Sequence, residues 1–157
     1  MDKLLLDTTY ILPIFGVKVS LKNYEEMFPK LLEEYVVLYN PLSLVEAKWI
    51  ILKLTRRVPS KRNLLLRAYR RGLEALLSDE RLKNTILTDI KIEEIADRLL
   101  VEIGLKDYFD RMIYATAVYE GAILLTEDEE LIRIRKEGSV SPKEVLRWNE
   151  VIQKIER

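Results

Sequence analysis

Two acids follow short apolar runs: Asp7 comes directly after Leu4-Leu5-Leu6, and Asp128 shortly after Ile123-Leu124-Leu125. Two more stand where helical patterns begin, Glu46 in Ser43-Leu44-Val45-Glu46 and Asp110 in Tyr108-Phe109-Asp110. If the runs are strands of one parallel sheet, Asp7 and Asp128 reach the same rim, where active sites of such sheets gather. The first turn of a helix tolerates an ionised carboxylate by a few tenths to about 1 kcal/mol. Four carboxylates in one pocket repel one another, so either their pKa values rise or a divalent cation neutralises them. Oxygen-only ligands select Mg²⁺ or Mn²⁺ over zinc. A cation held this way can bind a phosphate oxygen, activate a water and stabilise a leaving oxyanion, which opens phosphodiester hydrolysis to the chain.

Composition narrows the alternatives. The 157 residues include no histidine and no cysteine. That removes HExxH zinc sites, Ser-His-Asp and Cys-His pairs, and a histidine acid and base for metal-free RNA cleavage. It also removes disulfides, which fits a cytosolic setting. No apolar run approaches the roughly 20 residues of a membrane span, and Met1 to Leu6 is too short for a signal peptide. A hydrophobic share of 48% with 33% charged residues indicates one soluble domain over residues 1–157. Abundant Lys, Arg and Glu with few amides is the pattern of a thermophile.

Twenty-six basic and 26 acidic residues cancel, so any affinity for nucleic acid lies in their distribution. Between Ala47 and Leu73 stand Lys48, Lys53, Arg56, Arg57, Lys61, Arg62, Arg67, Arg70 and Arg71, with no acid among them. Such a stretch can track a phosphate backbone, or it can be a solvated helix face.

Each acid also has a purely structural reading. Ser43 to Glu46 fits a capping box, and so does Thr126 to Glu129. Asp128 can be a first-turn acid favoured by the helix dipole, and Asp7 a turn-forming aspartate. Asp107 suits the N-cap of the Tyr108 helix, which leaves Asp110 without that role.

The elements that must position these residues read as alternating strands and helices. Strands are expected at Lys3 to Leu6, Tyr35 to Tyr39, Thr85 to Leu87 and Ala122 to Leu125, with a small edge strand at Gly138 to Val140. Helices are expected over Ile11 to Phe15, Leu21 to Leu32, Ser43 to Leu54, Lys61 to Leu77, Ile90 to Ile103, Tyr108 to Tyr119 and Asp128 to Arg135. A last one should start at Pro142 and reach Ile155. This alternation predicts an α/β/α sandwich around a parallel sheet of four to five strands.

Taken in order, the segments Leu4–Leu12, Pro41–Ala47, Asp110–Ala117 and Gly121–Asp128 resemble the PIN-domain family, and particularly its VapC-like toxin branch. The likeness covers nearly the whole chain. Ser141-Pro142-Lys143-Glu144 also resembles the family's terminal helix start. The resemblance implies a nuclease that binds Mg²⁺ or Mn²⁺ and cleaves RNA. It makes Asp7 and Asp110 the principal metal ligands, with Asp128 completing the shell or holding a water. Glu46 becomes a ligand or water-positioning base, and Thr126 orients Asp128. Thr9 departs from the asparagine common there, although its hydroxyl can still donate within the site. Asp107, one turn before Asp110, competes with it for the ligand role. The likeness further implies a homodimer and a small antitoxin protein. Two rivals remain: a PIN-like scaffold that binds RNA or protein without cutting, and a phosphatase using Asp7 as nucleophile. The latter lacks the second aspartate expected two positions on.

Overall fold

A computed structural model describes residues 1–157. Five short strands form one all-parallel sheet: β1 (Lys3–Leu6), β2 (Val36–Tyr39), β3 (Leu82–Asn84), β4 (Ile123–Leu125) and β5 (Glu144–Leu146). Their spatial order is β3-β2-β1-β4-β5. Seven helices surround it: α1 (Tyr24–Glu34), α2 (Leu42–Arg57), α3 (Arg62–Ser78), α4 (Ile90–Arg98), α5 (Tyr108–Glu120), α6 (Glu129–Ile134) and α7 (Trp148–Glu156). None is long and apolar enough to cross a membrane.

Strand side chains alternate between faces, and here both faces are apolar. Leu4 and Leu6 of β1 enter one core with Val37, Tyr39, Ile123 and Leu125, covered by residues of α1, α2, α3 and α7. Leu5 turns to the other, with Leu38, Leu124 and Val145, under Ile113, Tyr114 and Ala117 of α5 and Leu131 of α6. Ile92, Ile95 and Ala96 fasten α4 onto α5 through Met112 and Ala115. Gly72 lets α3 press on the 3-10 turn Leu12–Phe15, where a Cβ would overlap the Ile14 carbonyl oxygen.

Strand order reverses at the centre: the chain leaves β1 for β2 on one side and returns to β4 on the other. A crevice opens at such a switch point, beyond the carboxyl ends of the strands.

The sequence reading needs four corrections here. The third strand is Leu82–Asn84, not Thr85 to Leu87; Leu82 is buried and pairs with Val37, while Ile86 and Leu87 are exposed as the chain leaves the sheet. The last strand is Glu144–Leu146, not Gly138 to Val140. Lys143 N–H donates to the Ala122 carbonyl and Thr126 N–H to that of Leu146, which commits the segment to β4. The last helix therefore begins at Trp148 and not at Pro142, with Glu150 accepting the Arg147 N–H. Finally, Ser43 is one residue inside α2, whose N-cap is Pro41, so the Ser43 to Glu46 capping box does not form.

Candidate functional site at the carboxyl rim

Asp7 ends β1 and turns at once into a 3-10 turn, Thr8–Tyr10, which it caps. Its Oδ1 accepts the Thr8 N–H at 2.7 Å and its Oδ2 accepts the Thr126 hydroxyl at 2.6 Å. The Thr126 hydroxyl oxygen in turn accepts the Asp128 N–H at 3.0 Å. One fully buried hydroxyl thus ties the end of β4 to the end of β1 and holds both aspartates at the switch point. Thr126 therefore orients Asp128 through its backbone and Asp7 through its carboxylate.

Asp128 is the N-cap of α6; its Oδ1 accepts the Glu130 and Leu131 N–H groups. The expected Thr126 to Glu129 box is absent, because Asp128 takes the cap and Glu129 pairs with Arg147 instead. Both roles of Asp128 coexist, since capping occupies one carboxylate oxygen.

Asp107 and Asp110 stand one turn apart at the start of α5. Asp107 Oδ1 accepts the Asp110 N–H at 2.9 Å, as its N-cap reading requires. Gly104, left-handed at φ +79°, and the buried Arg111, which donates to the Leu105 and Lys106 carbonyls, shape the loop that presents Asp107. Glu46 lies in the second turn of α2, half-buried, with the Thr8 hydroxyl among its neighbours.

The charges of these side chains act on one another. Burial raises the pKa of Asp7 against the Thr126 and Thr8 hydrogen bonds, and the charges of Asp128 and Asp107 raise it further. Burial likewise raises Glu46, helped by Asp7, Asp107 and Asp128. Asp110 is pushed up to about 8 by burial and then by Asp107, Asp128, Asp7 and Glu46. None of the chain's ion pairs includes any of these five acids. Asp107, read from sequence mainly as a cap, belongs to the group. Its i, i+3 spacing from Asp110 was the available signal, since such residues share a helix face.

The supporting hydroxyl differs from the expected one. Thr9 makes no side-chain hydrogen bond, whereas Thr8, buried beside Glu46, has a hydroxyl without a partner in hydrogen-bonding geometry. A buried unpaired hydroxyl facing carboxylates wants a water or a ligand. Together these donors suit a hard divalent cation: all are oxygen, none is neutralised by Lys or Arg, and one polar atom is orphaned. As the side chains lie, no three of the acids are placed closely enough together to hold a metal ion by themselves. Water is the natural complement, since Mg²⁺ keeps several of its own. A roomy cleft of about 810 Å³, lined by Pro13, Val17, Leu21, Tyr24 and Phe28 among others, lies away from these acids.

The family model for the PIN domain matches residues 4–137. No curated protein matches the chain significantly. Among solved structures, one similar chain belongs to VapBC2 from Rickettsia felis bound to a DNA fragment from their promoter. It has 19% identity and a TM-score of 0.65 over 93% of this chain and 98% of that one. PAE2754 from Pyrobaculum aerophilum has 18% identity and a TM-score of 0.63, over 99% of this chain and 90% of the other. A chain of DNA-bound VapBC from Salmonella typhimurium has 18% identity and a TM-score of 0.58, over 94% and 99%.

Proposed function

The chain belongs to the PIN domain family, and from that premise we propose that it is an Mg²⁺- or Mn²⁺-dependent endoribonuclease acting through Asp7, Glu46, Asp110 and Asp128. The observation that carries this reading is the gathering of half-buried and buried acids at the switch point with no basic partner. A set of like charges is costly to hold together unless something neutralises it.

In this reading Asp7, Asp110 and Asp128 hold the cation, with Asp107 beside Asp110 as a further oxygen donor. When bound, the cation supplies charge for a phosphate oxygen and the leaving oxyanion, and lowers the pKa of an attacking water. Thr126 fixes Asp7 and Asp128 relative to each other. Glu46 faces the Thr8 hydroxyl, and burial displaces its pKa upward, the direction that makes a carboxylate a better proton acceptor. It is the base that orients and deprotonates water. Asp7 is a poor phosphoryl nucleophile, because both of its oxygens already accept hydrogen bonds.

The structural likeness to chains of VapBC complexes supports a toxin of a toxin–antitoxin pair with a small antitoxin protein as partner; a homodimer as the working form rests on the family resemblance alone. The open arrangement of the acids favours one alternative, a PIN-like scaffold that binds RNA or protein without cutting. The deciding experiment incubates mixed RNA with the protein and Mn²⁺, with and without chelator, beside Asp7→Asn and Asp110→Asn. The proposal expects cutting that chelator and either substitution abolish. Equal cutting by every sample would signal contamination, and no cutting by any would leave the scaffold.

A further inference from the structure

Beside the acids, α2 and α5 present an aromatic pair that nothing in the core requires. Trp49 is 55% exposed, and its ring meets that of Phe109 edge-on, with centroids 5.4 Å apart. Trp49 lies one turn beyond Glu46 on α2, and Phe109 is next to Asp110 on α5. The two rings thus stand beside candidate-site residues, one on each helix. The protein's other tryptophan, Trp148, is 1% exposed and stacks on Tyr10 and Tyr24, the ordinary use of such a side chain.

Beyond Trp49, a cleft of about 250 Å³ is lined by Trp49, Leu52, Lys53 and Arg56. Lys53 and Arg56 are exposed and enter no ion pair, although ten such pairs form elsewhere. Glu46, Trp49, Lys53 and Arg56 recur at three- and four-residue spacing, which places them in a row along one side of α2. From Trp49 to Arg56 the row extends about 10 Å at 1.5 Å per residue. An acidic centre, a free indole face and two unpaired cations in line are complementary to a single nucleic-acid strand: phosphate to be cut, base to be stacked, phosphates to be neutralised.

We propose, on the footing of the ribonuclease reading, that Trp49 with Phe109 forms a base-stacking subsite, and that Lys53 and Arg56 hold the phosphates of the same RNA strand as it leaves the acids along α2. Trp49 is a binding residue here; the chemistry remains with the acids. Stacking accepts any base, so this subsite selects single strands over duplexes and contributes little sequence preference.

The test titrates a single-stranded oligouridine of about ten nucleotides into the protein in chelator, where cutting cannot intervene, and follows tryptophan fluorescence and affinity. Stacking should quench the emission, and Trp148→Phe should keep that quench. Trp49→Ala should abolish it and weaken binding roughly 5- to 150-fold, the range for losing one stacked base. Trp49→Phe should recover most of the affinity. An abasic strand of equal length should bind without quenching. Lys53→Gln with Arg56→Gln should reduce the slope of log affinity against log salt by about 1.4, about 0.7 for each phosphate contact on a single strand.

Unchanged oligouridine affinity in Trp49→Ala overturns the subsite, as does equal quenching by the abasic strand or no binding by the parent protein. A changed sedimentation coefficient in Trp49→Ala, with RNA affinity intact, would assign the face to a protein contact instead. Cutting is scored separately with Mn²⁺. Stacking without cutting would remove the nuclease and keep the subsite, and cutting with unaltered Trp49→Ala binding would do the reverse.

Discussion

At the amino ends of the strands Lys3 faces Glu120 at 3.0 Å, Lys143 faces Asp2 at 2.5 Å and Lys154 faces Glu144 at 2.8 Å. At the carboxyl ends Asp7, Glu46, Asp107, Asp110 and Asp128 face one another, and no Lys or Arg answers them. Both rims are cut from the same sheet, and the chain has as many basic as acidic residues to distribute. The amino rim puts its charges in water, in exposed pairs worth little. The carboxyl rim gathers like charges, Asp7 buried and Glu46, Asp110 and Asp128 half-buried, and leaves them unbalanced, which costs stability. An unpaired charge in a buried crevice is thus the more costly kind, and a ligand must supply the missing sign.

The largest expected effect is on activity at the carboxyl rim. Asp7→Asn and Asp110→Asn should each lower RNA cutting by at least about 100-fold, more than the 10- to 100-fold typical of residues that only support ligands. Thermal stability without metal should be kept or raised in Asp110→Asn, because a repelled charge is removed. Asn variants that cut normally, or that unfold, would erase the contrast between the rims.

Next comes the pH dependence of the metal-free protein. Asp110 is displaced from an ordinary 3.8 to about 8, and Asp7 and Glu46 move in the same direction. Over that window the folded state keeps a proton that the unfolded chain has released. Stability is therefore full below the ordinary carboxylate pKa and declines as pH rises towards 8. Mg²⁺ or Mn²⁺ should reverse the decline, by about 2.7 kcal/mol at a hundred times its Kd. Calorimetry between pH 4 and 8, with and without metal, measures this. A melting temperature indifferent to both would mean the acids never meet a cation.

Thr126→Val should be milder, 10- to 100-fold in cutting or in metal affinity. It should also cost about 1–3 kcal/mol of stability, because buried Asp7 Oδ2 loses its donor and the Asp128 N–H its acceptor. A valine variant with native Mn²⁺ affinity and cutting would show that the hydroxyl is a structural pin only.

Much of this arrangement was legible in the residues. Leu4-Leu5-Leu6 and Ile123-Leu124-Leu125 read as buried strands because both faces of a parallel strand are apolar, and the acids after them inherit their place at the rim. Local pattern failed where partners decide. Glu144-Val145-Leu146 carries no strong strand signal; hydrogen bonds from Lys143 and Thr126 make it one. The capping box at Ser43 was a correct local motif overruled by Pro41, which takes the N-cap position two residues earlier. Thr8 and Thr9 are identical in sequence terms, and only the 3-10 turn after Asp7 determines which hydroxyl is buried beside Glu46.

The smallest expected effect belongs to the amino rim, and its smallness is the point. Lys3→Gln breaks the pair with Glu120, whose partners are 47% and 19% exposed at the side chain. Double-mutant cycles with Glu120→Gln should give a coupling of about 0.2–1 kcal/mol, lower in high salt. Cutting should be unchanged, since the pair lies at the opposite end of β1 from Asp7. A coupling above this range would mean that the amino rim, too, holds charge in a dry environment. A loss of cutting would mean that strain at one end of a four-residue strand reaches the other, and the division of labour between the two rims would not hold.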